Sequence, residues 1–243
     1  MPGGSGDLAP APAEPRADWR DLGIRAASAA VLAPVGLAAL WAGHLPFALL
    51  MGLVAFGLMR EIRELSHRRG GSVLFAGGLV PVSLALAGFT WLRADVDAGR
   101  MNVVFVVLVV WASDIGAYIF GRLIGGPRLA PRISPGKTWS GAVGGLICAV
   151  GVGWVAGLLA PALDHAGETG STGGMFVAGF LGLMSQIGDL LESALKRYVG
   201  VKDSGRLIPG HGGLLDRLDG LILAAIAAAV VSMILGRGVL LWQ

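Results

Sequence analysis

Long runs without a charged residue are the feature that most constrains this chain. Between Arg25 and Arg60 there is no Asp, Glu, Lys or Arg, and Pro46 divides that run into two arms. A helix needs about 20 mostly apolar residues to cross a bilayer. The sequence therefore predicts an all-α, polytopic transmembrane helical bundle of about seven spans. The predicted spans are 26–43, 47–59 (extended by an amphipathic helix through 61–65), 70–92, 101–121, 138–163, 169–188 and 218–236.

The composition supports a membrane protein. Charged residues make up 14% of the chain and hydrophobic residues 54%, whereas soluble domains carry about 25% charged residues. A single cysteine, Cys148, excludes an intramolecular disulfide framework and any multi-cysteine metal site. Residues 1–23 are rich in Ala, Pro, Gly and acids, and we predict a disordered N-terminal tail rather than a signal peptide. Residues 24–243 then form one transmembrane domain.

The loops between the predicted spans alternate in Lys and Arg content. The N-terminal segment and the even-numbered loops hold 16 of the 19 Lys and Arg residues. Positive residues concentrate on the cytoplasmic side of membrane proteins. We therefore expect a cytoplasmic N-terminus, an external C-terminus and three basic cytoplasmic segments, 60–69, 122–137 and 196–217. The first of these is explained by topology and by attraction to anionic lipids.

Acidic and basic residues are mixed in one stretch, from Asp189 to Asp219. On the predicted sixth helix, Asp189, Glu192, Ser193 and Lys196 share one face at i, i+3, i+4 and i+7. The loop that follows contains Lys202, Asp203, Arg206 and the run Pro209-Gly210-His211-Gly212-Gly213. The last span opens with Asp216, Arg217 and Asp219. Five acids and five bases in 31 residues exceed what a turn needs, although a helix-capping and salt-bridging loop is the structural alternative.

Asp189 and Asp216 are expected to converge because a hairpin joins their two helices. Carboxylates in apolar surroundings are costly and usually face a bundle interior or a watery cavity. Convergent carboxylates suit a hard cation such as Mg²⁺, and the nearby Lys and Arg residues suit phosphate oxygens. Glycines let the backbone approach a phosphate closely. This combination predicts a phosphoryl or nucleotidyl transfer site at the cytoplasmic membrane edge.

The same stretch resembles the signature of the phosphatidate cytidylyltransferases, the CDP-diacylglycerol synthases. The matching positions are Ser193, Leu195, Lys196, Arg197, Lys202, Asp203, Gly205, Ile208, Pro209, His211, Gly212, Gly213, Leu214, Asp216, Arg217, Leu218 and Asp219. The resemblance continues more weakly at 113–118 with 121–122, and at 134–139. In order and spacing it covers roughly residues 50–235, with a catalytic part at about 101–235.

The resemblance implies a reaction in which CTP and phosphatidic acid give CDP-diacylglycerol and pyrophosphate. It also implies a divalent metal such as Mg²⁺, with K⁺ as a candidate second ion, and a homodimer. The expected partners are CTP, phosphatidic acid and membrane lipids, without nucleic acid. The expected location is a bacterial-type inner membrane, with the active site facing the cytoplasm.

Roles follow for the individual residues. By the resemblance, Asp189 and Asp216 match metal-binding acids, and Asp219 is a further candidate ligand. The attacking lipid phosphate needs no strong base, so the protein must position and neutralise the reacting phosphates. We assign that work to Lys196, Arg197 and Lys202, and substrate contacts to Asp203, Arg217 and His211, although a lone histidine is often structural.

The segment Ser134-Pro135-Gly136-Lys137-Thr138 invites comparison with a P-loop. That motif needs a glycine where this chain has Pro131, and no strand is expected before it. We therefore reject a P-loop and retain Ser134 and Lys137 as substrate-binding residues. Asp114 lies in the middle of a span and is expected to join a functional network.

Two other functional classes compete with this interpretation. Intramembrane acids also mark ion paths in transporters and channels, but those proteins place acids across the membrane depth and break helices at the midplane. Here the acids, Asp114 excepted, cluster at one edge. The membrane alcohol phosphatidyltransferases carry a D-G-x2-A-R type motif, which this chain lacks.

Overall fold

A computed structural model describes residues 19–159, 171–205, 207–208 and 212–242. The described chain is almost entirely helical, with one small β-hairpin. The helices are α1 Trp19–Ala42, α2 His44–Arg68, α3 Gly71–Arg93, α4 Gly99–Leu123, α5 Trp139–Leu159, α6 Ser171–Val199 and α7 Leu215–Leu235. The hairpin comprises β1 Arg128–Ala130 and β2 Ser134–Thr138.

The described helices confirm a polytopic bundle. Six of them, α2 to α7, are long and apolar enough to cross a membrane. The apolar part described for α1 is shorter, Ala30–Ala42. That helix begins at Trp19, so it overlaps the last five residues of the tail predicted at 1–23, and residues 1–18 lie outside the described residues. The second span reaches Arg68, because the amphipathic extension continues the helix without a break.

The end of α6 corrects one sequence-based expectation, that Asp189 is a helix-end acid. The apolar span was predicted to end at Gly188 and the helix to carry a charged face from Asp189 to Lys196, and α6 continues through that face to Val199. Contacts between residues four apart accompany the added turns: Lys196 reaches Glu192, and Ser193 reaches Asp189. Such i,i+4 pairs stabilise a helix beyond its apolar run. Asp189 therefore lies within the helix, and only Asp216 stands at a helix end.

The β-hairpin corrects a second expectation, that no strand precedes Ser134. β1 pairs antiparallel with β2, with Arg128 opposite Thr138 and Ala130 opposite Ser134. At its far end, the hydroxyl of Thr138 accepts the Gly141 N–H at 3.1 Å and so caps the start of α5. The hairpin therefore leads directly into a transmembrane helix. Pro131 still excludes a P-loop.

Glycines allow α4, α5 and α6 to pack backbone against backbone. A Cβ on Gly141 would lie 2.7 Å from the Ala117 carbonyl oxygen, and one on Gly145 would lie 2.7 Å from that of Ser113. Gly141 and Gly145 fit the GxxxG spacing, which favours close packing of membrane helices. The contact matters for the site because α5 follows the hairpin and α6 carries Asp189.

Side-chain contacts group the connecting loops on two faces of the bundle. Arg69 after α2 donates to the Tyr198 carbonyl at 2.9 Å, and Arg197 donates to the Ile133 carbonyl at 3.1 Å. We call the face of the bundle that carries these two contacts the site face. On the opposite face, Arg93 donates to the Leu40 carbonyl, and the C-terminal segment Gly236–Trp242 packs beside the loop before α4.

Asp95 ties the C-terminal segment to that opposite face. Its Oδ2 accepts the Gly238 N–H at 2.6 Å, and its Oδ1 accepts the N–H groups of Asp97 and Ala98 at 3.0 Å. Burial acts to raise the pKa of this carboxyl, but the three N–H groups and the Arg237 guanidinium hold the pKa below its ordinary value. The ionised form is therefore the one that stabilises the fold.

We predict that Asp95→Asn lowers the stability of the purified protein by about 1 kcal/mol at neutral pH. A carboxyl with a lowered native pKa stabilises the fold fully above its unfolded pKa of about 3.9, and it loses that contribution as the pH falls through the native value. Thermal unfolding in detergent should show this acid-side loss in the wild type and a smaller loss in Asp95→Asn. Asp97→Asn, whose side chain is exposed, is the control. Equal unfolding temperatures for wild type and Asp95→Asn would contradict the assignment.

Candidate active site

Lys196 joins α6 to α7 at the centre of the site face. Its Nζ lies 2.6 Å from Oε2 of Glu192, one turn earlier on α6, and 2.8 Å from Oδ1 of Asp216, in the first turn of α7. All three side chains are largely buried. Ion pairs removed from water are strong only when their charges and hydrogen bonds are matched. This cluster accordingly holds two of the sequence-predicted site residues, Lys196 and Asp216, in direct contact.

Asp216 also organises the loop that joins the two helices. Its Oδ2 accepts the N–H of Ser204 at 2.9 Å and the N–H of Gly213 at 3.1 Å. A Cβ on Gly213 would overlap the Ser204 hydroxyl and lie 2.8 Å from the carboxylate. The second glycine of the Gly212-Gly213 pair is therefore needed for space, because the backbone approaches the Asp216 carboxylate at that point.

Lys137 reaches the site from the β-hairpin. Its Nζ lies 2.6 Å from Oδ2 of Asp189 on α6, and both side chains are partly open to solvent, at 26% and 34% exposure. Asp189 also accepts a long hydrogen bond from Ser193, at 3.5 Å. Asp114 on α4 and Asp219 on α7 interact electrostatically with Asp189. The β-hairpin, α4, α6 and α7 thus each contribute a charged group to this region. Lys137 and Asp114 both lie near Asp189, as the sequence predicted.

Negative charge exceeds positive charge across these two connected clusters. The carboxylates are Asp114, Asp189, Glu192, Asp216 and Asp219, and the lysines paired with them are Lys137 and Lys196. Glu192 Oε1 and Ser185 Oγ are buried without a hydrogen-bond partner in the described part of the chain. Excess carboxylates in a low-dielectric site favour a bound cation or a proton.

These carboxylates suit a hard cation, because they offer oxygen ligands and negative charge. Among the described residues, however, no three His, Cys, Asp or Glu side chains are arranged to hold a metal ion together. Asp216 already accepts hydrogen bonds from Lys196 and from two backbone N–H groups. Mg²⁺ commonly uses only one or two carboxylates together with substrate phosphates, so the open Asp189 side is the better match.

The other predicted site residues lie around this centre. Arg197 donates to the carbonyl oxygens of Ile133 and Val201 and so braces the hairpin against the loop. Lys202 and Asp203 are exposed and line a cavity of about 790 Å³ beside Arg68. Ser134 is half-buried in β2, and Arg217 is exposed on α7. His211 lies outside the described residues.

Glu61 is a site-face residue that the sequence reasoning missed. This α2 carboxylate is only 2% exposed and accepts the backbone N–H groups of Leu214 and Leu215, both at 2.8 Å. It was included in a basic segment attributed to topology. A signal was available, since Glu61 falls on the helical stripe that contains the buried residues Leu58, Ile62 and Leu65. A carboxylate on an apolar stripe needs a buried partner.

Comparison with known proteins identifies the family. The cytidylyltransferase family matches residues 78–235, a segment that contains both lysine–carboxylate clusters. The chain belongs to this family. The cytidylyltransferase segment begins within α3, so α2 and Glu61 precede it.

The chain is similar to phosphatidate cytidylyltransferases from two bacterial genera. It is 52% identical over 152 residues to the phosphatidate cytidylyltransferase of Brucella suis, covering 63% of this chain and 52% of the relative. It is 40% identical over 171 residues to the phosphatidate cytidylyltransferase of Staphylococcus saprophyticus, covering 70% of this chain and 64% of the relative. The chain thus spans about half the length of the Brucella relatives it matches.

We predict that Gly213→Ala destabilises the α6–α7 connection by roughly 1–3 kcal/mol, because overpacking forces the surrounding groups apart. Hydrogen exchange of the purified protein should become faster in the segment containing Ser204 and Leu214. Gly151→Ala is the control, since no atom lies within 4 Å of a Cβ built there. Identical exchange in the wild type and Gly213→Ala would contradict the packing that the structure shows.

Proposed function

We propose that this chain is a phosphatidate cytidylyltransferase, which converts CTP and phosphatidic acid to CDP-diacylglycerol and pyrophosphate. The observation that carries the proposal is the pair of lysine–carboxylate clusters, Lys137–Asp189 and Lys196–Asp216, inside the matched family segment. The names of the relatives from Brucella and Staphylococcus support the substrate class. Six apolar helices support a site within reach of a lipid.

The proposed reaction is a displacement at the α-phosphorus of CTP. An oxygen of the phosphatidic acid phosphate forms the new P–O bond, the bond between the α-phosphorus and the α–β bridging oxygen breaks, and pyrophosphate leaves with that oxygen. Both reactants are anionic, so catalysis consists mainly of positioning and charge neutralisation. Lys137 is partly exposed and paired with a single carboxylate oxygen, which suits it to bind a phosphate oxygen. Arg197 and Lys202 supply positive charge at the edge of the same face.

The proposal includes Mg²⁺, with K⁺ as a candidate second ion. Asp189, Asp216 and Asp219 would hold the metal, of which Asp189 is the most open and Asp216 the most fully hydrogen-bonded. When bound, the ion would withdraw charge from the triphosphate oxygens. The protein's contribution is to keep Asp189 and Asp216 ionised and oriented, through the Lys137 and Lys196 ion pairs and the loop N–H groups. The proposed substrate contacts also include Ser134, Asp203, His211 and Arg217.

The proposed setting is a bacterial-type inner membrane with the site face and the N-terminus in the cytoplasm. The distribution of Lys and Arg supports this orientation, because the loops of the site face carry most of them. Cytoplasmic placement would also give the site access to CTP, while phosphatidic acid arrives from the bilayer. A homodimer, implied by the family resemblance, is part of the same proposal.

We predict that the purified protein forms a labelled CDP-lipid from labelled CTP, phosphatidic acid and Mg²⁺. Asp189→Asn and Asp216→Asn should each reduce the rate by about 100-fold or more, because each removes a carboxylate that would hold the metal ion and that orients a lysine of the site. Asp97→Asn, on the opposite face, should retain wild-type activity. Absence of CDP-lipid in the wild type, or full activity in both site variants, would overturn the proposal.

The metal assignment is tested separately. Chelation with EDTA should abolish the activity, and added Mg²⁺ should restore it. Asp219→Asn should raise the Mg²⁺ concentration needed for half-maximal activity by roughly tenfold, since loss of one acidic ligand weakens a hard-cation site. An unchanged Mg²⁺ dependence in this variant would remove Asp219 from the ligand set.

A further inference from the structure

Glu61 connects α2, a helix that precedes the matched family segment, to the loop beside the site. Its Oε1 accepts the Leu214 N–H, and its Oε2 accepts both the Leu215 N–H and the Ser204 hydroxyl at 3.2 Å. Each carboxylate oxygen is therefore used. Burying a carboxylate at 2% exposure is costly unless its oxygens are hydrogen-bonded, and here the donors come from the loop and the start of α7.

The N–H groups bound by Glu61 are ones that helix geometry leaves without partners. The first N–H groups of an α-helix have no carbonyl to reach within the helix, and α7 begins at Leu215. A carboxylate at this end also interacts favourably with the helix dipole. In this helix the capping side chain comes from α2, 153 residues earlier than Leu214.

Glu61 and Asp216 bind the same loop from two sides. The Gly213 N–H points to Asp216, while the next two N–H groups, of Leu214 and Leu215, point to Glu61. Ser204 connects both carboxylates, because its N–H donates to Asp216 and its hydroxyl donates to Glu61. The direction of the Asp216 side chain thus depends on a loop that Glu61 holds.

The packing around this double attachment leaves little room for adjustment. A Cβ on Gly205 would lie 2.7 Å from Glu61 Oε1, and a Cβ on Gly213 would lie 2.8 Å from the Gly205 nitrogen. A loop packed this closely cannot drift without breaking hydrogen bonds to one carboxylate or the other. Displacement of Glu61 would therefore be transmitted to Asp216 and to its ion pair with Lys196.

We infer that Glu61 is a positioning residue for the nucleotidyl transfer, one that fixes Asp216 against Lys196 by clamping the α6–α7 loop to α2. The inference rests on the proposed function for its catalytic consequence. It assigns to α2 a role in the site, although this helix lies before residues 78–235. Glu61 acts through the loop and has no assigned contact with substrate.

The test uses Glu61→Gln in the whole chain. Glutamine keeps the shape of the side chain, but its NH₂ group would face N–H donors, so part of the clamp is lost. The kcat for CDP-lipid formation, normalised to folded protein, should fall by roughly 10- to 100-fold, the scale expected when reacting groups are misplaced. Amide exchange in a peptide containing Leu214 and Leu215 should become faster. A purely stabilising role would lower the amount of folded protein and leave its kcat unchanged, which would overturn the inference.

Ser204→Ala keeps the inference testable where Glu61→Gln fails to fold. It removes only the hydroxyl donor to Glu61, and it should shift kcat and exchange in the same direction by a smaller factor. Ser66→Ala, which removes a buried α2 hydroxyl bonded to the Arg63 carbonyl, should leave both readouts at wild-type values.

The two proposals fail in different ways. Absence of CDP-lipid formation by the wild type would overturn the proposed function. Exchange at Leu214 and Leu215 would then still test the clamp, and unchanged exchange in Glu61→Gln would overturn it. An active wild type together with a fully active Glu61→Gln would overturn the inference about Glu61 alone.

Discussion

The ammonium group of Lys196 is the cation that lets two carboxylates approach each other between α6 and α7. It lies within 2.8 Å of both Glu192 and Asp216. Without it, two negative charges would face each other in a largely buried interface, and removing one partner of a buried pair costs about 3–5 kcal/mol. The start of α7, the position of Asp216 and the path of the α6–α7 loop all depend on this cation.

The second ion pair differs from the first in its exposure, and that difference suits a division of roles. Lys196 and its partners are 14% exposed or less, whereas Lys137 and Asp189 are about a quarter and a third exposed. A buried pair holds helices in place, while an open pair can exchange its partner for a ligand. Under the proposed function, the excess of carboxylates around Asp189 would favour exchange with a cation or with a phosphate bound to a cation.

Helix packing brings the open pair together. Lys137 belongs to a hairpin and Asp189 to α6, so their contact depends on how closely α5 approaches α4 and α6. Gly141 and Gly145 permit the approach to α4, and Gly153 permits the approach to α6, because a Cβ at any of these positions would meet a backbone oxygen of the neighbouring helix. In a bilayer, where apolar side chains gain little by leaving lipid, such close contact is a main source of helix association. The glycine-rich composition of the spans is thus linked to the geometry of the site.

Local sequence determined the apolar runs, and with them the six long helices α2 to α7, because crossing a bilayer is a requirement on consecutive residues. It also determined the charged stretch from Asp189 to Asp219, whose i,i+4 contacts follow from helix geometry alone. Only the tertiary structure decided that a strand precedes Ser134 and that Lys137 pairs with Asp189. It alone placed Glu61 on the N-terminus of α7. These contacts join residues that are distant in the chain, and the partner of a buried charge is chosen by which helices pack together, a choice that no local pattern records.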